Sequence, residues 1–235
     1  MFLFLKLILA HLIADFILQF EELYQLKVRS FLGQLLHVLI HGLVSLALLY
    51  PYRNEPVIWA FVAGIVVIHL AQDSTKYSFT KKIPANTFFY FMIDQVCHVL
   101  VISAILLFPI SHEVRGFPQD TLLNILYTND VWTIRAIFFI LLTFGGSYIL
   151  NAFARSYLKD CPPLFMITST EMLYEFLERI LVSWIVLGGT SLPILLLIPC
   201  IGIFRFFSDP LRNLKAFLLS LNYAVLLSLL FHKIL

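Results

Sequence analysis

The chain has 235 residues, 60% of them hydrophobic and only 13% charged, with a mean hydropathy of +0.92. A water-soluble domain of this size needs far more polar surface, and a net charge of +2 without a basic tract excludes a nucleic-acid binder. Cys97, Cys161 and Cys200 form no close pair, which argues against a disulfide framework or a thiolate zinc knuckle.

Repeated apolar runs of about twenty residues predict transmembrane helices. Eight spans are expected, at roughly 1–20, 31–50, 57–79, 87–110, 131–154, 171–189, 191–208 and 213–232. The expected fold is therefore all-α, a polytopic transmembrane helical bundle. The opening "MFLFLKLILA" imitates a signal peptide. His11 and Asp15 interrupt it and no clear small-residue cleavage site comes after it, so it reads as a retained first span. "PYRNEP", "KKIPAN" and "KDCPPL" supply turn chemistry after spans two, three and five. Pro193 and Pro199 fall inside the seventh span. The chain then divides into a four-helix bundle over 1–110, an outer loop over 111–130 whose "LLNILY" suits a membrane surface, and C-terminal spans over 131–235.

With the N-terminus outside, the inner connections hold ten Lys and Arg residues, Lys27 among them, against four at the outer ends. Positive charge favours the cytoplasmic side, so both termini are expected outside a bacterial inner membrane.

The first four spans each carry one polar pair at i, i+4: His11 and Asp15, His37 and His41, His69 and Asp73, Asp94 and His98. That spacing places both side chains on one helix face. Spans one and three run inward with their pairs near the C-terminal end. Spans two and four run outward with theirs near the start. At 1.5 Å per residue all four pairs fall roughly 8–16 Å below the inner surface. The pairs also repeat. His11 to His69 and Asp15 to Asp73 are 58 residues apart, and His37 to Asp94 and His41 to His98 are 57. The N-terminal half is thus expected to be a parallel repeat of two helical hairpins.

An aspartate inside a span costs about 2.5–3.5 kcal/mol on insertion scales, so three of them need compensation. Mutual His–Asp hydrogen bonding offers some of it, and divalent cations offer more. His11, Asp15, His37, His41, His69, Asp73, Asp94 and His98 are the expected metal ligands. They are too many for one tetrahedral zinc, so two ions are expected, zinc first and manganese or iron next.

"HLIADFILQ", "HVLIH", "HLAQDSTK" and "DQVCH", in that order, resemble the DUF3307 family of bacterial membrane proteins over residues 5–110. "ERILVSWIVLGG" at 178–189 and "RFF" at 205–207 are similar to later motifs of its longer members. The resemblance implies a fold and a site but supplies no reaction. It marks Gln19, Lys76 and Gln95 as residues recurring beside the ligands, where they would support ligands or touch substrate.

Span six adds Glu171, Glu175 and Glu178 on one face, and Arg179 is expected to pair with one of them. Glu178 is a candidate general base, Lys76 a candidate holder of an anionic substrate, and Arg179 a supporting contact. The His-x-x-x-Asp pairs look like those of zinc-dependent phospholipase C proteins and of membrane-bound metal-dependent hydrolases. The expected activity is accordingly metal-dependent hydrolysis of a lipid-linked or amphiphilic ester or phosphoester, with membrane lipids as partners. A divalent-metal transporter or sensor and a non-catalytic His/Asp core are the alternatives. Against transport, the outer halves of the first four spans carry almost no polar residues. Absence of His-x-x-His-His elements argues against an oxidative di-metal enzyme.

Overall fold

Without water, backbone N–H and C=O groups must satisfy one another, and within one segment only a helix achieves this. The computed structural model describes residues 1–82, 87–117, 121–158, 169–188 and 210–234, with helices and no strand among them. They form two compact units, Met1–Ile137 and Phe138–Leu235.

The first unit contains α1 (Phe2–Leu12), a π-helical turn (Ile13–Ile17), α2 (Glu21–Arg29), α3 (Phe31–Leu48), α4 (Pro56–Lys82), α5 (Thr87–Ser103) and the short α6 (Leu122–Thr128). Helix α7 (Asp130–Ile140) crosses the boundary. The second unit continues through a π-turn (Leu141–Gly145) into α8 (Gly146–Tyr157), then α9 (Ser169–Val186) and α10 (Pro210–Phe231).

Among the described residues, four helical stretches are long and apolar enough to cross a membrane: Phe31–Leu48, Pro56–Ser78, Phe88–Leu107 and Asp130–Tyr157. Phe2–Ile17 with Glu21–Arg29 makes a fifth if the pair, bent by 92°, counts as one span. These stand at the positions of the first five predicted spans. The sixth is present as α9, but its charged residues leave it short of the apolarity a span needs. The seventh lies outside the described residues. The eighth corresponds to α10, a helix of 22 residues in which Lys215–Phe231 is apolar.

The first predicted span differs most. Helix α1 buries eight of its eleven residues, all apolar except Lys6 and His11, as an interior helix does. It stops early because the π-turn ends at Ile17 and Phe20 turns extended, with φ −67° and ψ 164°. The adjoining "EELYQLKVR" then forms α2, with Glu21 and Glu22 in its first turn and Lys27 and Arg29 in its last. That order complements the helix dipole at both ends. The stretch that reads from sequence as a plain inner connection is thus an ordered helix.

Ser30 ends α2 and begins α3. Its backbone N–H and its hydroxyl both donate to the Leu26 carbonyl, at 2.9 and 3.0 Å, and the hydroxyl accepts from the Gly33 N–H at 3.0 Å. Gly33 lets the two helices meet: a Cβ there would lie 2.2–2.4 Å from the backbone of Leu26 and Lys27. Away from α2, Phe2, Leu3 and Leu7 of α1 pack with Leu49, Tyr52, Ile58, Val62, Ile102 and Ile105 in an apolar core. Lys6, also buried, is held by the Tyr127 carbonyl, the Thr133 hydroxyl and the rings of Phe2 and Tyr127. These contacts tie α6 and α7 to the first helix.

Candidate metal centre

All four polar pairs converge inside the first unit. His11 ends α1, Asp15 sits in the π-turn, His37 and His41 lie on α3, His69 and Asp73 on α4, and Asp94 and His98 on α5. All eight are buried. A π-turn inserts an extra residue and re-aims the side chains around it, and such turns are frequent at functional sites. Here Asp15 is the residue it carries.

The Asp15 carboxylate is one hub. Its Oδ1 is 3.1 Å from His37 Nε2 and 3.1 Å from His41 Nε2. Its Oδ2 is 3.5 Å from His11 Nε2 and accepts from Gln95 Nε2 at 3.2 Å. Asp73 is the other hub, with Oδ2 3.4 Å from His69 Nε2 and 3.8 Å from His37 Nε2. The imidazoles crowd together, with ring centres 4.0 Å apart for His69 and His98 and 4.2 Å for His41 and His69.

Among the described residues, two sets of ligand atoms lie close enough to share an ion, each within 4.8 Å of one another: Asp15, His37, His41 and His69, and then His69, Asp73 and His98. A tetrahedral ion with ligands at 2.0–2.1 Å has ligand-to-ligand edges of about 3.3 Å. The Asp15–His37 and Asp73–His69 separations of 3.1 and 3.4 Å are close to that edge, and the Asp15–His41 separation of 3.1 Å is a hydrogen bond as it stands.

Hydrogen bonding alone leaves much of the cluster unsatisfied. His37 Nε2, His69 Nε2, His98 Nε2 and Asp73 Oδ1 are buried without a hydrogen-bond partner. Buried polar atoms are seldom left so. His98 also has its tautomer set. Its Nδ1 donates to the Asp94 carbonyl at 2.6 Å, which leaves the lone pair on Nε2, facing the other imidazoles. A metal-ligating histidine is normally oriented in this way. The residues present fit a transition-metal ion.

Two of the eight expected ligands stand outside both sets. Asp94 Oδ2 accepts from Lys76 Nζ at 2.6 Å, and His11 is within hydrogen-bond reach of Gln95 Oε1 at 3.3 Å. Gln95 therefore bridges His11 and Asp15. Gln19 accepts from Lys27 Nζ at 3.1 Å. Lys76, expected to hold a substrate anion, is paired with Asp94 instead, though its side chain keeps 22% exposure.

Lys27 is the site residue that sequence reasoning missed. From sequence it belongs with the solvated inner charges. The structure buries it, with Nζ 3.0 Å from Asp73 Oδ2. Its only sequence signal is an amphipathic "EELYQLKVR" directly after the first pair.

Glu178 and Arg179 belong to the second unit. Arg179 is fully buried and donates to Glu175 Oε2 at 2.8 Å, to the Thr143 carbonyl at 2.6 Å, and to the hydroxyls of Ser147 and Ser220. Its acidic partner is thus Glu175, one turn earlier. Glu178 is buried on the same helix. The Thr143 carbonyl comes from the π-turn of this unit, whose irregular backbone the guanidinium satisfies.

No curated protein and no solved structure matches this chain. Residues 3–120, which include every residue of the His/Asp cluster, match the family described as protein of unknown function (DUF3307), and the chain belongs to that family.

Proposed function

We propose that this protein is an integral membrane metal-dependent hydrolase, with its ion held among Asp15, His37, His41, His69, Asp73 and His98. The observation that carries the reading is the gathering of buried imidazole nitrogens without hydrogen-bond partners, on His37, His69 and His98, around the carboxylates of Asp15 and Asp73. Three imidazole nitrogens and one carboxylate oxygen suit zinc, with manganese or iron next. When bound, such an ion polarises a carbonyl or phosphoryl oxygen and lowers the pKa of a bound water. Lys76, partly exposed and paired with Asp94, is the residue this reading assigns to an anionic substrate group. An amphiphilic or lipid-linked ester or phosphoester is the substrate class that reaches a site at this depth. A resident ion is favoured over a conducted one, because the apolar core of Phe2, Leu3, Leu7, Val62 and Ile105 offers no stepping stones.

The reading also includes eight spans, two parallel N-terminal hairpins, and both termini outside a bacterial inner membrane. It is tested by metal analysis of detergent-purified protein, wild type beside Asp15→Asn and His41→Ala. Retained metal that both variants lose supports it and justifies a screen of phosphoester and lipid-ester hydrolysis. No metal after resupply with zinc, manganese or iron sinks it.

A further inference from the structure

We propose that Lys27 is a resident cation of the centre and limits it to a single metal ion, by holding the carboxylate around which a second ion would bind. This rests on the metal reading above and takes one ion in place of the two expected from the sequence.

Three observations lead to it. The first is position. Lys27 Nζ lies 3.0 Å from Asp73 Oδ2, the oxygen that His69 Nε2 approaches at 3.4 Å. The second ligand set consists of His69, Asp73 and His98, so the ammonium sits against its only anionic member. A metal ion on Asp73 Oδ2 would share that oxygen with a fixed positive charge.

The second is charge. Asp15, Asp73 and Asp94 bring three negative charges to the buried cluster, and Lys27 and Lys76 return two positive ones. One divalent ion leaves the neutral-histidine cluster at +1, and two leave it at +3. Uncompensated charge is expensive where water is excluded, which favours the single ion.

The third is ligand supply. His69 belongs to both sets. A neutral imidazole has one lone pair, so His69 completes one set at a time.

Lys27 is also held in place rather than merely close. Gln19 Oε1 accepts a hydrogen bond from its ammonium at 3.1 Å. The backbone at Lys27 is wedged on Gly33, and Ser30 fixes the α2–α3 corner. A snorkelling lysine would have none of these constraints.

The test is zinc stoichiometry of the full chain in detergent, by elemental mass spectrometry after resupply and removal of loose metal. Cobalt titration followed by its visible absorption gives a second endpoint. Wild type and Lys27→Arg are expected to bind about one ion, and Lys27→Ala and Lys27→Met about two. Lys27→Met keeps the apolar stem, so it reports even if Lys27→Ala does not fold. Two equivalents in wild type, or one equivalent in a folded Lys27→Met, overturns the proposal while leaving the metal centre standing. Zero equivalents in every protein overturns the metal reading itself, and this proposal with it.

Discussion

Gly33→Ala tests how firmly α2 is held against the cluster. The added Cβ would lie 2.2 Å from the Leu26 carbonyl carbon, 2.3 Å from its oxygen and 2.4 Å from the Lys27 nitrogen. All three are backbone atoms, so no rotamer change relieves them. Ordinary contact begins near 3.4 Å, which asks α2 to retreat by 1.2 Å. Overpacking of this kind costs about 1–3 kcal/mol. Alanine recovers up to about 1 kcal/mol through helix propensity. The steric effect wins, with a net loss of about 1 kcal/mol. For a chain of this length the apparent Tm should fall by about 2–4 °C. Lys27 Nζ would leave its 3.0 Å contact with Asp73 in the same movement, so metal content should rise as in Lys27→Met. Thermal unfolding in detergent, followed by circular dichroism, reads the first effect, and elemental analysis reads the second. An unchanged or higher Tm with wild-type metal content would refute the close wedge of α2 on α3.

The ligand sets and the second unit give further expectations. Asp94→Asn and His11→Gln should retain the metal that Asp15→Asn loses, because Asp94 is taken by Lys76 and His11 lies outside both sets. Loss of metal in Asp94→Asn would return Asp94 to the ligands. In the second unit, Arg179→Met leaves Glu175 buried without the guanidinium and should cost about 3–5 kcal/mol of stability. The double variant Glu175→Gln/Arg179→Met should recover much of it, and a double variant as unstable as the single one would show that the ion pair is not what matters there.

Much of the cluster was legible because chemistry and periodicity coincide in it. Histidine and aspartate are scarce in an apolar segment, so each stands out, and i, i+4 spacing assigns a shared face without a structure. The alternating direction of consecutive spans then placed four pairs at one level. The sequence did not contain how the pairs divide. Asp94 and Asp73 are alike in sequence, each four residues from a histidine, yet one meets Lys76 and the other Lys27. Which carboxylate faces the imidazoles depends on helix rotation, which spacing does not reveal. Glu175 and Glu178 posed the same problem beside Arg179. The i, i+4 partner proved to be Glu175.

Lys27 was hidden for a different reason. Counting Lys and Arg by side of the membrane treats every connection as solvated, and "EELYQLKVR" has the composition of one. Its burial goes with the 92° bend, which falls where Phe20 turns extended just after the π-turn, a break that hydropathy does not register. Had the first span run straight to residue 20, Lys27 would have emerged into the headgroups and Asp73 would have faced the imidazoles with its full charge. Two divalent ions would then have been the natural compensation. With the helix folded back, one carboxylate is already matched by an ammonium. The turn that carries Asp15 into the cluster is thus followed at once by the bend that brings Lys27 to it, so that residues 13–20 set both which carboxylate meets the imidazoles and which ammonium faces Asp73.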